Sequence, residues 1–210
     1  MKKVRFAFLA AIVFLLPGIA LGAEGMGKTG IVKGTVTLDG KPTSEVVVSV
    51  EGLSGRYLKS QISNTKPKVK LMDQEGMKFI PKVLPVLVGT PVEFPNHDNT
   101  WHNVFSPSET KKFDLGLYPP GEKRSVTFNK AGVVRILCNV HPNMGAHIVV
   151  KEHSLFTVPN TRGRYRIDAV PMGNYRLRVW HPDVGAKVEA FNMVREGEVL
   201  NIDITLRRSQ

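Results

Sequence analysis

An all-β protein is the fold class this sequence predicts, and three observations carry the prediction. Short runs rich in Val, Ile, Thr and Phe recur along the chain, clusters of Gly, Pro, Asn and Asp separate them, and nothing beyond the N-terminal stretch sustains a helical period. The runs in order are "GIVKGTVTLDGKP", "SEVVVSVEG", "LPVLVGTPVEFPN" and "RSVTFNKAGVVRIL". Asp-Gly in "LDGKP" marks a hairpin turn, and "PPGEK" and "NKAG" punctuate later strands in the same way. Three regions result: residues 29–55 with two strands around the first turn, residues 65–152 as a longer β unit, and residues 153–208 as a further set of strands. The polar, basic stretch "SQISNTKPKVK" is read as a connection.

The N-terminus, "MKKVRFAFLAAIVFLLPGIALGAEG", sets Lys2, Lys3 and Arg5 ahead of an apolar run from Phe6 to Leu16. That is a secretory leader over residues 1–23, since Pro17 and Gly18 interrupt the run before the roughly 20 residues that span a bilayer. Small residues at Ala20, Gly22 and Ala23 suit cleavage after Gly22 or Ala23, so an exported, periplasmic-type location without stable membrane insertion is expected. The formal charge of +11 falls to +8 once Lys2, Lys3 and Arg5 leave with the leader. Export argues against nucleic acid as a target, and the basic balance points to an acidic protein or an anionic surface. A hydrophobic fraction of 42% is enough for an ordinary core.

The third region alternates cleanly. Tyr165, Ile167, Tyr175, Leu177 and Val179 share one parity, and Arg164, Arg166, Arg176 and Arg178 the other. On adjacent strands the four arginines would line one sheet face, relieved by acids such as Asp203 or offered to an acidic partner.

The chemistry concentrates at "RILCNVHPNMGAH", which holds the single cysteine. An exported lone thiol has no intramolecular disulfide partner. It is either a small buried hydrophobe or a ligand. Cys138-x2-His141-x2-Met144 brings thiolate, imidazole and thioether onto one tight loop turned by Pro142 and Asn143. Two His nitrogens, one Cys sulfur and a weak axial Met make a blue-copper site, so the loop offers three of four ligands. The remaining histidine comes from "FPNHDNTWHNVFS", which contains His97 and His102. A tetrahedral zinc set of Cys138, His141, His147 and His97 or His102 is the rival, although no Cys-x2-Cys knuckle accompanies it. Period-two geometry directs His147 to solvent.

The segment from Val69 to Val150 resembles a cupredoxin of the plastocyanin and amicyanin type, through "VGTPVEFPN", "WHNVF", "PPGEKRSVTF" and "AGVVRILCNVHPNM". The resemblance implies a Greek-key β-sandwich over residues 65–152 holding one type 1 copper per chain on His102, Cys138, His141 and Met144. Cys-x2-His-x2-Met is the amicyanin spacing; plastocyanin has four residues between His and Met. The resemblance further implies that Asn103 hydrogen-bonds toward the ligand loop and that His97 stays at the surface. It also makes the edge of His141 an electron port, with Trp101, Pro107, Pro142 and Asn143 as candidates for its rim.

The flanks, "VKGTVTLDGKPTSEVVVSVEG" and "FTVPNTRGRYRIDAVPMGNYRLRVWH", resemble the two halves of a carboxypeptidase regulatory-like, or transthyretin-like, β-sandwich. Gly163, Tyr165, Ile167, Val170, Pro171, Gly173, Tyr175, Leu177 and Val179 carry its second pattern. A smaller sandwich split by the copper domain is the preferred layout, because two strands over residues 29–55 cannot bury a core alone. Three units in series are the alternative. The function expected is single-electron carriage with an acidic redox protein such as a c-type cytochrome. A copper carrier or scavenger, or a binding module with a structural metal, is the alternative. No catalytic constellation is present in the sequence, so the protein is expected not to be an enzyme. The oligomeric state is not legible in the sequence.

Overall fold

The computed structural model of the protein describes residues 28–64 and 67–208; the leader expected over residues 1–23 lies outside them. The first elements are β1 (Thr29–Leu38), β2 (Lys41–Pro42), β3 (Val47–Glu51) and α1 (Gly55–Asn64). The middle of the chain holds β4 (Lys70–Leu71), β5 (Asp73–Glu75), β6 (Lys78–Ile80), β7 (Val83–Leu87), β8 (Thr90–Pro95), β9 (His102–Ser106), β10 (Phe113–Tyr118), β11 (Lys123–Phe128), β12 (Gly132–Leu137) and β13 (Gly145–Lys151). The last part holds β14 (Phe156–Thr157), β15 (Arg164–Pro171), β16 (Gly173–His181), β17 (Gly185–Met193), β18 (Val199–Asn201) and β19 (Ile204–Leu206). The all-β class is therefore observed, and no described helix is long and apolar enough to cross a membrane.

Helix α1 corrects one expectation, since the stretch read as a connection begins inside it. Ser54 starts the helix by accepting from the Tyr57 N–H on its side-chain oxygen and from the Leu58 N–H on its carbonyl. Tyr57 then packs against a β core. One short turn-bounded helix gives too few periods to stand out in a polar stretch.

Two separate cores organise the strands. The middle segment folds as a sheet in the order β10-β9-β12-β13-β7 with a second sheet β11-β8-β4, and Met72, Phe94, Tyr118, Phe128, Ile136 and Ile148 fill the space between. Each such fully buried side chain contributes about 1.5–3 kcal/mol of apolar transfer. In the other core, β1 is central: it pairs with β15, β2, β18 and β19, while the facing sheet runs β14-β3-β16-β17. Val32, Val36, Val48 and Val50 from the first strands meet Tyr165, Ile167, Leu177 and Val179 there. Strands on either side of the middle segment thus pair with each other, Val32 opposite Ile167 and Val48 opposite Val179. Asp39 and Gly40 both take positive φ in the turn joining β1 to β2, the backbone hand that suits a two-residue hairpin.

The parity expected of the later strands holds, with Tyr165, Ile167, Leu177 and Val179 buried and Arg164, Arg166 and Arg176 exposed. The single arginine face does not form. β15 pairs with β1 and β16 with β3 and β17, so the chain passes from one sheet to the other at Met172 and the arginines divide between two outer faces. Asp203 accepts from the Thr35 N–H, and Arg166 pairs with Asp168.

Where the two cores meet, Val47, Val83 and Val149 form a third cluster with Phe156 and Trp180. Beside it, Lys151 at the end of β13 donates to Ser49 and Glu51 of β3. His147 also belongs to this junction and not to open solvent. Its ring lies edge-on to Trp180 at 5.4 Å between centroids, and its buried Nδ1 has no hydrogen-bond partner. Trp180, on a strand of the other sheet system, covers a position that alternation alone would expose.

Candidate metal centre

The site is assembled at one end of the middle sandwich by the loop between β8 and β9 and the loop between β12 and β13. Asn96, wholly buried, shapes the first loop. Its side-chain amide donates to the carbonyls of Thr100 at 2.9 Å and Tyr118 at 3.3 Å, and its side-chain oxygen accepts from the Asp98 N–H. That arrangement delivers His102, also wholly buried, at the first position of β9 opposite Tyr118. Tyr118 is locked in turn, receiving a hydrogen bond from Gln74 and donating to the Phe94 carbonyl. Burial therefore pushes its hydroxyl pKa upward.

In the second loop, β12 ends at Leu137 and the chain turns sharply. The Met144 N–H donates to the His141 carbonyl at 2.9 Å, and the Cys138 N–H donates to the Met144 carbonyl at 3.2 Å. Cys138 and Met144 are buried in the core, while His141 is half-buried. The Cys-His-Met spacing is thus a closed turn pointing two side chains inward and leaving the imidazole between them at the surface.

Cys138, His141 and His102 converge. Nδ1 of His102 lies 3.0 Å from Nδ1 of His141, and Cys138 Sγ lies 3.9 Å and 3.7 Å from the two nitrogens. All three donor atoms fall within 4.8 Å of one another, and they are the group of this kind among the described residues. One ion can touch two donors only if they are closer than the sum of their bond lengths, about 4 Å for two nitrogens and about 4.3 Å for nitrogen and sulfur. Every pair meets that condition, so the residues present fit a metal ion.

The second nitrogen of His102 explains how the first is presented. Nε2 donates to Asp98 Oδ2 at 2.9 Å, which fixes the tautomer and leaves the Nδ1 lone pair facing the cluster. The same carboxylate oxygen accepts from the Met77 N–H at 2.7 Å, tying the β5–β6 hairpin to the ligand. The backbone bond from Met77 and the side-chain bond from His102 hold the Asp98 carboxyl below the usual carboxylate range.

His97 is exposed and pairs with Asp73 at 2.7 Å, which raises its pKa and keeps it out of the cluster. His147 sits at the junction between the cores, so the rival set of Cys138, His141, His147 and His97 or His102 is not assembled. Asn103 departs from the expectation for it. Its amide donates to Asp114 of β10 at 2.7 Å, and its buried oxygen has no partner, so it braces β9 against β10 and not the ligand loop. Asp98 and Asn96 belong to no motif in the sequence; both stand inside "FPNHDNTWHNV", where the one signal is a polar cluster ahead of a strand.

Residues 66–151 match the family model of copper binding proteins of the plastocyanin/azurin family. A purple cupredoxin from Nitrosopumilus maritimus is similar at 23% identity over 39% of this chain and 99% of its own, with a TM-score of 0.36. A copper-containing nitrite reductase from Thermus scotoductus is 30% identical over 41% of this chain and 23% of its own, with a TM-score of 0.39. An oxidised amicyanin variant is 26% identical over 39% of this chain and 81% of its own, at 0.37. No curated protein matches the sequence. The middle segment is a copper-binding domain of cupredoxin fold. Its cofactor is copper, in keeping with a donor set of two imidazoles and one thiolate.

Proposed function

We propose that the protein is an exported carrier of single electrons, with copper held by His102, Cys138, His141 and Met144. The observation that carries this reading is the uneven burial of the donors: His102, Cys138 and Met144 are closed off from solvent and His141 is half-open. Four protein ligands leave no position for a substrate, and copper bound there supplies one-electron chemistry by alternating between two oxidation states. The chain's part is to hold the ligands still. Asp98 orients His102, the Met144 and Cys138 main-chain bonds pin the loop, and the packed core behind them resists rearrangement.

An electron would enter or leave at the solvent edge of His141. Val140 and Pro142 flank it in the chain, and Trp101 beside His102 is 55% exposed, so apolar surface is available for contact without a large desolvation cost. The formal charge of +8 left once Lys2, Lys3 and Arg5 leave with the leader suits an acidic partner such as a c-type cytochrome, because opposite charge mainly raises the rate of encounter. The absence of a catalytic role belongs to this proposal. So does the layout of residues 29–55 and 153–208 as one regulatory-like sandwich carrying residues 65–152 as an insertion, which the pairing of β1 with β15 and of β3 with β16 supports.

The test is optical and EPR spectroscopy of the copper-loaded protein followed by stopped-flow mixing with a reduced cytochrome. An intense thiolate-to-copper band, lost in Cys138→Ser, and rapid oxidation of the cytochrome with copper retained are expected. Transfer of the copper itself to an apo-acceptor within minutes would sink the electron-carrier reading in favour of a copper carrier.

A further inference from the structure

Open strand edges are places where another chain can add, and folded proteins usually blunt them. Most long edges here are blunted. β15 carries a register shift against β1, Ala169 at positive φ and a terminal Pro171. β10 is bulged between Asp114 and Leu117 around Gly116, β7 contains Pro85, and β11 sets Lys123 and Arg124 side by side.

β17 is different. It ends the sheet β14-β3-β16-β17 and pairs with β16 over nine consecutive residues, Gly173 opposite Met193 through His181 opposite Gly185, without a shift. Its sequence, "GAKVEAFNM", has no proline and no bulge. Its far edge therefore offers a straight row of backbone donors and acceptors that no other described strand uses.

The side chains indicate what fits that edge. A lone lysine on an edge strand blocks self-pairing, because a two-fold axis sets it against itself or against an unrelated neighbour. Here Lys187 and Glu189 stand two apart on one face, already 3.2 Å from each other. In an antiparallel pairing centred on Val188, Lys187 of one copy lies opposite Glu189 of the other, twice across the axis. The same register places Val188, 47% exposed, against its own counterpart, and Ala186 against Ala190. A register slipped by one residue would oppose the charges to alanine or valine and lose both pairs.

We propose that β17 is a homodimer interface, pairing antiparallel with β17 of a second copy about a two-fold axis at Val188 and joining two four-stranded sheets into one. The edge is remote in sequence from the metal loops, so the proposal stands apart from the electron-carrier reading.

Sedimentation velocity of the full copper-loaded protein over a wide concentration range tests it. A reversible monomer–dimer equilibrium is expected for the native sequence. Lys187→Glu and Glu189→Lys should each weaken the dimer about tenfold or more, since each turns two attractive pairs into repulsive ones, and the double swap should restore it. Val188→Lys, which faces solvent in the monomer, should also dissociate it, with a thermal unfolding curve matching that of the native protein at concentrations too low for dimerisation showing that the monomer fold is intact. A native protein that stays monomeric at the highest concentration overturns the proposal, as does a dimer whose constant in both single reversals is unchanged from that of the native protein.

Discussion

Asp98 does two things with one oxygen, accepting a hydrogen bond from His102 Nε2–H and another from the Met77 N–H, and the two roles separate experimentally. In Asp98→Asn the amide oxygen can still accept both bonds, but the negative charge near the metal is lost. The reduction potential should rise, because that charge favours the more highly charged oxidised copper; voltammetry of the two proteins checks the sign. Asp98→Ala removes the acceptor as well, and copper affinity measured against a competing chelator should fall about 10–100-fold. The legibility of the site is uneven at this scale. Cys138 and His141 hang from one turn, so their spacing alone puts them together. His102 arrives from 36 residues away through strand pairing, and only family resemblance distinguishes it from His97. Asp98 is four residues before His102 in a loop, where no periodicity relates the two side chains.

Among the elements, the crossover between β15 and β16 is the instructive one. Alternation along each strand correctly sorts Tyr165 and Leu177 inward and Arg164 and Arg176 outward, since it depends only on the local pleat. Which strands are neighbours depends on distant partners, and there the apparent hairpin is a passage between sheets. Gly163, just before β15 and at the far end of that strand from the passage, is packed tightly against β1. It has φ of 74°, and a Cβ there would lie 2.4 Å from the Val36 carbonyl oxygen. Gly163→Ala should destabilise the protein by about 2–4 kcal/mol, read as a lower denaturant midpoint at unchanged slope. A copper site spectrum unchanged in that variant under native conditions would show the strain staying within the outer sandwich.

For the molecule as a whole, the junction between the two cores sets the response to acid. His153, buried beside Lys151 and accepting from the Leu155 N–H, is pushed down to about 4 by burial and then by the lysine's charge. Burial lowers His147 and His181 in the same direction. The unfolded chain therefore takes up these protons first. Stability is full above pH 6.5, the ordinary histidine value, and declines as pH falls toward about 4. His153 contributes a slope of up to about 1.4 kcal/mol per pH unit in that window, and His153→Gln should flatten that part in unfolding curves recorded across the range. At the same junction the Val50 N–H donates to the Leu155 carbonyl, so residues 105 positions apart in the chain are neighbours. This shortens the search that folding must make. Once the cupredoxin segment has folded with its ends together, a loop of about a hundred residues behaves as one of a few tens, and the entropy of closing it falls by about 1 kcal/mol. The copper domain is then also a clasp: the strands on either side of it close fastest when the segment between them is already native. Lesions that slow that segment, even ones far from the metal, should delay the pairing of β1 with β15.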